Sequence, residues 1–198
     1  MSAYISPVDD RVSLRASLLF MPIVMLGFGL LYSLVGAGLG RVLFPGAATG
    51  SLIERDGKVV GSELVAQPFA DARYFQPRPS AANYDPMAAA GSNQARSNPD
   101  LRKRIAELTT SVAQRDGIAP AEVPGELVTQ SGGGLDPHVS PTAAQVQVAR
   151  VAGARGLEPA EVARLVSAYT EAPQFGVLGQ PRVNVLKLNL ALDAMQAR

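Results

Sequence analysis

A long run of apolar residues without a charge lies near the start of this sequence, between Arg15 and Arg41. A helix of about 20 apolar residues, rising about 1.5 Å per residue, spans a bilayer core of about 30 Å. Residues 16–40 are long enough to do so, and the two flanking arginines can extend to opposite headgroup layers. We therefore predict one membrane-spanning helix over residues 16–43, preceded by a short tail, residues 1–15.

Two other interpretations of the apolar run remain open. A cleaved signal peptide has an apolar core of about 7–15 residues, which is shorter than this run, although Gly46, Ala47 and Ala48 resemble a cleavage site. A buried helix of a soluble protein tolerates the composition but rarely the length. Lys and Arg residues flank the run on both sides, so charge does not determine the orientation of the helix.

Four small residues recur along the apolar run at helical spacing: Gly29, Ser33, Gly36 and Gly40. At positions i, i+4, i+7 and i+11 they fall on one helix face, and Gly36 and Gly40 form a GxxxG pair. Small side chains let helices in lipid approach closely, so this face predicts packing against another membrane helix. The alternative explanation is that glycine is common in membrane helices generally.

Residues 44–198 are long enough to form one extramembrane domain with its own core. The dipeptide Asp56-Gly57 predicts a hairpin between short β-type runs, and further extended pieces are predicted at 63–66 and 74–75. Caps and apolar spacing predict three helices, from Asn98 to Gly117, from Ser140 to Gly156 and from near Pro159 to Pro173, and the last segment favours a helix from about Val185. The fold class predicted is α+β, with a single N-terminal transmembrane helix followed by one mixed domain containing a small sheet and several helices.

Composition excludes several kinds of chemistry. The chain has no Cys and a single His, which excludes disulfides, cysteine-ligated zinc, thiol nucleophiles and multi-histidine metal sites. The formal net charge of +1 argues against nucleic acid as a partner. A basic cluster, Arg96, Arg102, Lys103 and Arg104, lies at a helix start, where anionic headgroups or phosphates would explain it, although a solvated helix face is the simpler explanation.

The glycine-rich segment at 130–138, QSGGGLDPH, invites comparison with catalytic loops. A phosphate-binding loop would continue with Lys and Ser or Thr, and a metal site at Asp136 and His138 would have few ligands. A serine hydrolase would use Ser131 as nucleophile and His138 as base, but the glycine that precedes the serine in GxSxG is missing. We prefer a tight turn, in which Asp136 bonds to the backbone ahead of Pro137. A membrane-anchored ectoenzyme that uses Ser131 and His138 is the alternative function.

A series of short motifs in a fixed order carries a family resemblance. In chain order they are Gly61-Ser62, Gln67-Pro68-Phe69, Tyr74-Phe75, Arg78-Pro79-Ser80, Gly91-Ser92-Asn93, Ser97-Asn98-Pro99, Ser131-Gly132, Asp136-Pro137-His138, Ser140-Pro141 and Pro181-Arg182-Val183-Asn184. Over about residues 12–193 the series closely resembles the C subunit of the bacterial Kdp potassium-transporting ATPase. The resemblance marks as family-motif residues Tyr74, Phe75, Arg78, Pro79, Ser80, Ser131, Gly132, Asp136, Pro137, His138, Pro181, Arg182 and Asn184.

The resemblance implies a non-enzymatic accessory subunit of a high-affinity, ATP-driven potassium uptake complex. In that family a potassium-channel-like subunit moves the ion, a P-type ATPase subunit hydrolyses ATP, and the C subunit stabilises the assembly. The C subunit is also described as a catalytic chaperone that raises the ATP affinity of the ATPase subunit. The family topology implies a single-pass protein of the bacterial inner (plasma) membrane, with lipid and the two subunits as partners and the domain on the periplasmic side.

The resemblance implies no catalytic residues, no metal and no covalently bound cofactor, and it leaves open whether this chain contacts ATP. ATP is cytoplasmic, whereas the family topology places the large domain outside the cytoplasm. Direct contact with the nucleotide would therefore have to involve the short tail. Docking that biases a conformational equilibrium of the pump is physically simpler.

Overall fold

The computed structural model describes residues 14–196, and the chain divides after Thr49 into two compact units. The first unit holds a helix over Leu14–Leu43 that is long and apolar enough to cross a membrane. It starts two residues before the predicted position, and the rest of the predicted tail, residues 1–13, lies outside the described residues. In detail the helix comprises α1 (Leu14–Val24), a π-helical part (Met25–Leu31) and α2 (Tyr32–Leu43), and the short α3 (Pro45–Ala48) follows it.

The second unit begins with the predicted hairpin. Strand β1 (Leu52–Arg55) pairs antiparallel with β2 (Lys58–Ser62) across Asp56 and Gly57. Both turn residues have positive φ, 52° and 73°. Two central residues at positive φ are the type I′ geometry, whose twist matches that of the flanking strands. The hairpin prediction is therefore confirmed, and its turn has the type that the dipeptide Asp56-Gly57 favours.

A second sheet combines three very short strands from distant parts of the chain. Strands β3 (His138–Val139), β4 (Thr170–Glu171) and β5 (Arg182–Asn184) are antiparallel, in the order β3-β5-β4. Strands of two or three residues are too short for an alternating pattern to reveal them. The extended pieces predicted at 63–66 and 74–75 join neither sheet, which corrects that prediction. The α+β fold class itself is confirmed.

The helices of the second unit begin and end largely where the caps predict. They are α4 (Pro99–Asp116), α5 (Pro141–Gln145), α6 (Val148–Arg155), α7 (Pro159–Ala168) and α8 (Val185–Gln196), with 3-10 turns at Pro86–Ala88, Pro120–Glu122 and Gly125–Leu127. Asn98 Oδ1 accepts from Asp100 N at 2.9 Å, and Ser140 Oγ accepts from Ala143 N at 3.1 Å. The helix predicted from Ser140 to Gly156 is interrupted between α5 and α6, and α7 ends before the predicted Pro173.

The core of this unit is centred on Phe75, which is fully buried. Apolar side chains from both ends of the unit's chain pack around it, among them Val112, Leu127, Val139, Val151, Val162, Val183, Leu188 and Leu192. Helices α4 to α8 and strands β3 and β5 each contribute to this cluster. An irregular stretch that belongs to neither sheet thus holds the centre of the domain, and the way in which it is held defines the candidate site.

Candidate functional site

Phe75 lies in an irregular segment, residues 72–76, that begins with a turn and whose backbone pairs with side chains instead of with a strand. The Asn189 amide accepts from Phe75 N at 2.9 Å and donates to Phe75 O at 3.0 Å. The Gln147 amide accepts from Gln76 N at 2.8 Å and donates to Gln76 O at 3.2 Å. An amide side chain offers one acceptor and two donors, so each replaces the hydrogen bonds of a neighbouring strand. This is why the extended piece predicted at 74–75 joins no sheet.

Two arginines of α6 hold the same segment. Arg150 Nη1 donates to the carbonyl oxygens of Ala72 at 2.5 Å and of Tyr74 at 3.0 Å. Arg155 Nε donates to Arg73 O at 2.7 Å, and its guanidinium lies 4.9 Å from the centroid of the Tyr74 ring, a cation–π contact. We name as the cradle residues 72–76 together with Gln147, Arg150, Arg155 and Asn189.

Two carboxylates neutralise the arginines of the cradle. Asp116, with a side chain 0% exposed, accepts from Arg150 Nε at 2.6 Å and from Arg115 Nη2 at 2.6 Å. Asp193 of α8 accepts from Arg155 Nη2 at 2.8 Å and from the hydroxyl of Tyr74 at 3.2 Å. Burial lowers the pKa of Arg150, although the hydrogen bond to Asp116 opposes this effect. Buried charges are tolerated only when they are paired and hydrogen-bonded, as they are here.

The next family-motif residues continue from the cradle into a compact turn. Ser80 Oγ accepts from Ala82 N at 3.0 Å and from Tyr84 N at 2.9 Å. The Tyr84 hydroxyl donates to Arg78 O at 2.9 Å, and burial raises the pKa of Tyr84. Pro79 O accepts from Ser131 N at 3.3 Å, which joins this turn to the glycine-rich segment.

Glycine is required where two loops meet beside this turn. A Cβ placed on Gly91 would lie 2.5 Å from Gly132 O, closer than real Cβ contacts allow. A Cβ on Gly134 would lie 2.8 Å from Ala90 O, and Gly134 also has a φ of 71°. Close approach of backbones thus accounts for Gly91 and for Gly134 of the QSGGGLDPH segment without a phosphate, whereas a Cβ on Gly132 or Gly133 would meet no described atom within 4 Å.

Asp136 connects the glycine-rich segment to Arg78. Its Oδ2 accepts from Arg78 Nη1 at 3.0 Å, and its Oδ1 accepts from the backbone N–H of His138 at 3.0 Å, across Pro137. Burial raises the pKa of Asp136, but hydrogen bonds from His138 and Arg78 lower it by more, so that the net pKa lies below its ordinary value. The carboxylate thus closes the turn that the sequence indicates.

We expect the ionised form of Asp136 to stabilise the folded domain and this contribution to be lost in acid. Because the folded pKa is lower than the unfolded one, the contribution is present above the unfolded pKa of about 4 and disappears as the pH falls through the folded pKa. In detergent, the thermal unfolding midpoint of the full chain should therefore fall more steeply with decreasing pH for the native protein than for Asp136→Asn. The control is Asp100→Asn, which removes an exposed carboxylate. Identical pH dependence of the native protein and Asp136→Asn would contradict this assignment.

Ser131 and His138 are not arranged as nucleophile and base. Ser131 is buried, and the nearest hydrogen-bond donor to its Oγ is the backbone N–H of Asp136, at 3.5 Å. A nucleophile and its base lie within about 2.6–3.2 Å, and within residues 14–196 no hydrogen bond joins these two side chains. The same described range contains no group of three or more metal-ligating side chains. The geometry therefore does not support the hydrolase alternative.

Asn184 ties the second sheet to α8. Its Oδ1 accepts from Lys187 N at 3.1 Å, as an N-cap does, and its Nδ2 donates to Glu63 O at 2.9 Å. Pro137 O accepts from Val185 N at 3.0 Å. The family-motif residues of β3 and β5 thus fix the start of the helix that carries Asn189 into the cradle.

Pro181 and Arg182 lie at the end of an exposed loop, residues 172–181. Arg182 Nε donates to Glu171 Oε2 at 2.9 Å, across the paired strands β4 and β5. Burial raises the pKa of Glu171, but the hydrogen bond from Arg182 and the positive charges around the carboxylate together outweigh it, and the net pKa is lowered. This ion pair closes the base of the loop.

The small-residue stripe lies on the long helix of the first unit. Ser33, Gly36 and Gly40 belong to α2, whereas Gly29 lies in the π-helical part, whose wider turn changes its angular position relative to the others. A Cβ on Gly29 or Gly36 would meet no atom of the described residues within 4 Å, and one on Gly40 would meet Ala48 Cβ at 3.9 Å. Packing inside the described chain therefore does not explain these glycines, and their role in helix packing stays a prediction.

The polar residues of the cradle were not singled out as site residues by the sequence. Gln147 and Arg150 look like surface residues of a helix, because the backbone groups that they bind in the cradle are more than 70 positions away along the chain. A usable signal exists for Asn189, which interrupts the leucine-rich run VLKLNLAL on a face that is otherwise apolar. A lone amide in such a run indicates a buried polar partner.

Comparisons with known proteins show which family the chain is similar to. A family model described as KdpC, the K+-transporting ATPase c chain, matches residues 14–194. The potassium-transporting ATPase KdpC subunit of Xanthomonas campestris pv. campestris (strain B100) is 65% identical over 187 residues, covering 94% of this chain and 90% of the relative. The proteins of the same name from Methylococcus capsulatus and Shewanella putrefaciens are 51% and 50% identical, each over 92% of this chain and over 97% and 89% of the relative.

Proposed function

The chain belongs to the KdpC family, the c chain of the K+-transporting ATPase, and we propose that it is a non-enzymatic accessory subunit that stabilises the membrane-embedded complex. The observation that carries the proposal is the apolar helix Leu14–Leu43, none of whose described residues is buried within the chain. Its glycines leave open space that packing inside the described chain does not fill. Such a helix surface is suited to contact with other membrane helices.

The proposed partners are a potassium-channel-like subunit, a P-type ATPase subunit and membrane lipid. We place the helix in the bacterial inner membrane and the second unit on its periplasmic side. What supports this proposal is the family membership together with one N-terminal helix that is apolar enough to span a bilayer. The second unit would then provide a rigid extramembrane surface, since its loops are held by the cradle and by the turn at Asp136.

We propose further that the subunit raises the ATP affinity of the ATPase subunit indirectly. A subunit that docks more tightly on the ATP-binding state of the pump shifts its population toward that state. A tenfold gain in ATP affinity requires a difference of only about 1.4 kcal/mol between the two docking energies. A difference of that size needs no contact between this chain and the nucleotide.

The test of the accessory role is Gly36→Leu in the complete complex. A leucine at this position would hold the partner helix away, so we expect retention of the companion subunits through mild detergent extraction to fall by about tenfold, which corresponds to about 1.4 kcal/mol. The quantity to measure is the ratio of companion subunits to this chain after affinity purification.

The matched control is Gly38→Leu, because a Cβ on Gly38 also meets no described atom within 4 Å but points away from the stripe. We expect this variant to retain the companions. Native retention in both variants would refute the packing face. A native chain that copurifies with no ATPase subunit would refute the accessory function itself.

A further inference from the structure

Residues 172–181 present a cluster of exposed apolar side chains at the surface of the second unit. Phe175, Val177 and Leu178 are 83%, 79% and 58% exposed. The stretch contains no charged residue, and all residues from 174 to 182 are exposed. Exposed apolar side chains that are grouped in one loop, and not scattered singly, are candidates for an interaction site.

The loop is held in one shape by its own hydrogen bonds. Its base is closed by the pairing of β4 with β5 and by the ion pair between Glu171 and Arg182. Nearer the tip, Gln174 N donates to Leu178 O at 2.8 Å, and Leu178 N donates to Gln174 O at 2.9 Å. The apolar side chains are therefore presented by a small, preorganised hairpin.

The tip of the hairpin is also conformationally unusual. Phe175 has a φ of 55°, in the left-handed region that large side chains rarely adopt. Gly176 follows with a φ of 76°, and its N–H donates to Pro173 O at 2.9 Å. An exposed aromatic side chain held in a disfavoured backbone conformation suggests a function for its position.

The chemistry of the loop favours a protein over a lipid surface as its occupant. Residues 172–181 contain no Lys, Arg, Trp or Tyr, the residues enriched at the headgroup level of membrane proteins. The adjacent cation, Arg182, is paired with Glu171, so the pair carries no net positive charge to attract anionic lipids. A fixed shape is of little use in fluid lipid but reduces the entropy lost when side chains enter a protein cleft.

We propose that the 172–181 hairpin is a docking element that inserts Phe175, Val177 and Leu178 into an uncharged apolar cleft on a companion subunit of the same ATPase complex. This inference rests on the accessory function proposed above. The hairpin continues directly into β5, whose Val183 and Asn184 are buried.

The first test is the double variant Phe175→Ser and Val177→Ser in the full chain, coexpressed with its companion subunits. We expect the companions retained after mild detergent extraction to fall by about tenfold, as for the loss of an interface anchor. Thermal unfolding of the purified chain should be unchanged because both side chains are exposed. The matched control is Met87→Ser, which removes an apolar side chain that is 94% exposed elsewhere on the domain and should leave retention native.

The outcomes separate this inference from the function on which it rests. If the native chain retains its companions and the double variant retains them equally well, the docking element is refuted and the accessory function stands. If the native chain itself retains none, the accessory function fails and the docking element with it. An equal loss for Met87→Ser would mean that the effect is not specific to the hairpin, and it would also refute the proposal.

A second measurement identifies the occupant. The chain has no Cys, so Leu178→Cys provides a single site for an environment-sensitive fluorophore, attached before assembly. We expect a blue shift when the companion subunits are added to the labelled chain in detergent, and none in vesicles of zwitterionic and anionic phospholipids. A blue shift in the vesicles without companions would assign the hairpin to lipid and overturn the proposal. Absence of a shift in both conditions would overturn it as well.

Discussion

Replacing Asp116 with alanine should lower the free energy of unfolding of the second unit by about 3–5 kcal/mol, as expected when one partner of a buried ion pair is removed. The Asp116 carboxylate lies at the end of α4, where a negative charge opposes the helix dipole. Its position is explained by Arg150 and Arg115, each with a nitrogen 2.6 Å from it. Without Asp116, Arg150 would keep its carbonyl partners in the cradle but lose its counter-charge.

The measurement is chemical unfolding of the full chain in detergent, followed by circular dichroism. The matched control is Asp100→Ala, which removes an exposed carboxylate from the first turn of the same helix and should change stability by about 0.5–1 kcal/mol. Asp116→Asn should fall between the two, because it keeps the shape of the side chain but loses the charge. If the Asp116→Ala protein were as stable as the native one, some other group would have to neutralise the positive charges of Arg150 and Arg115, and the prediction would be wrong.

Replacing Phe75 with alanine should also lower the free energy of unfolding by about 3–5 kcal/mol. The ring is fully buried among side chains from α4 to α8, β3 and β5, so its removal leaves a cavity that several elements would have to close together. They have little freedom to do so, because Asn189 and Gln147 fix the backbone of the segment from two sides.

The chain supplies its own control for this prediction. Phe175→Ala removes the same side chain from a position that is exposed, and in the isolated chain it should change stability by about 0.5 kcal/mol or less. Equal unfolding midpoints for the two variants would contradict the central position of Phe75. The pair thus separates the packing role of one phenylalanine from the proposed docking role of the other.

The elements that the sequence predicts well are those determined by neighbouring residues. Asp56-Gly57 specifies a hairpin turn through the φ angles that these two residues tolerate. Asn98, Ser140 and Gly156 mark helix ends because capping is a local hydrogen bond or a local backbone conformation. The helix Leu14–Leu43 follows from the length of the uncharged run, which needs no tertiary information.

The elements that were missed depend on partners far along the chain. Strands β3 and β4 exist because β5 lies between them, and two residues carry no periodic signal of their own. The predicted helix from Ser140 to Gly156 is interrupted where Gln147 turns its amide toward Gln76, a contact across 71 positions. The partners of the backbone of residues 72–76 cannot be found from local patterns either, because they are the side chains of Gln147 and of residues in α6 and α8.

The candidate site could be assembled only in part from the sequence. The motif series indicated which residues belong together, and the structure joins Arg78 to Asp136, Pro79 to Ser131 and β3 to β5. Gln147, Arg150 and Asp116 were absent from that list, since nothing in their local sequence distinguishes them from surface residues. The hairpin at 172–181 was missed for the opposite reason, because its apolar residues are irregularly spaced and too few to suggest an element.

The amide side chains of the cradle also protect the protein from self-association. An extended segment with unpaired N–H and C=O groups is a template onto which a foreign strand can add. In this protein the N–H and C=O groups of Phe75 and Gln76 are already hydrogen-bonded to the side chains of Asn189 and Gln147. These two residues therefore offer no free backbone groups for cross-chain pairing, and addition of a foreign strand would first require their bonds to Asn189 and Gln147 to break.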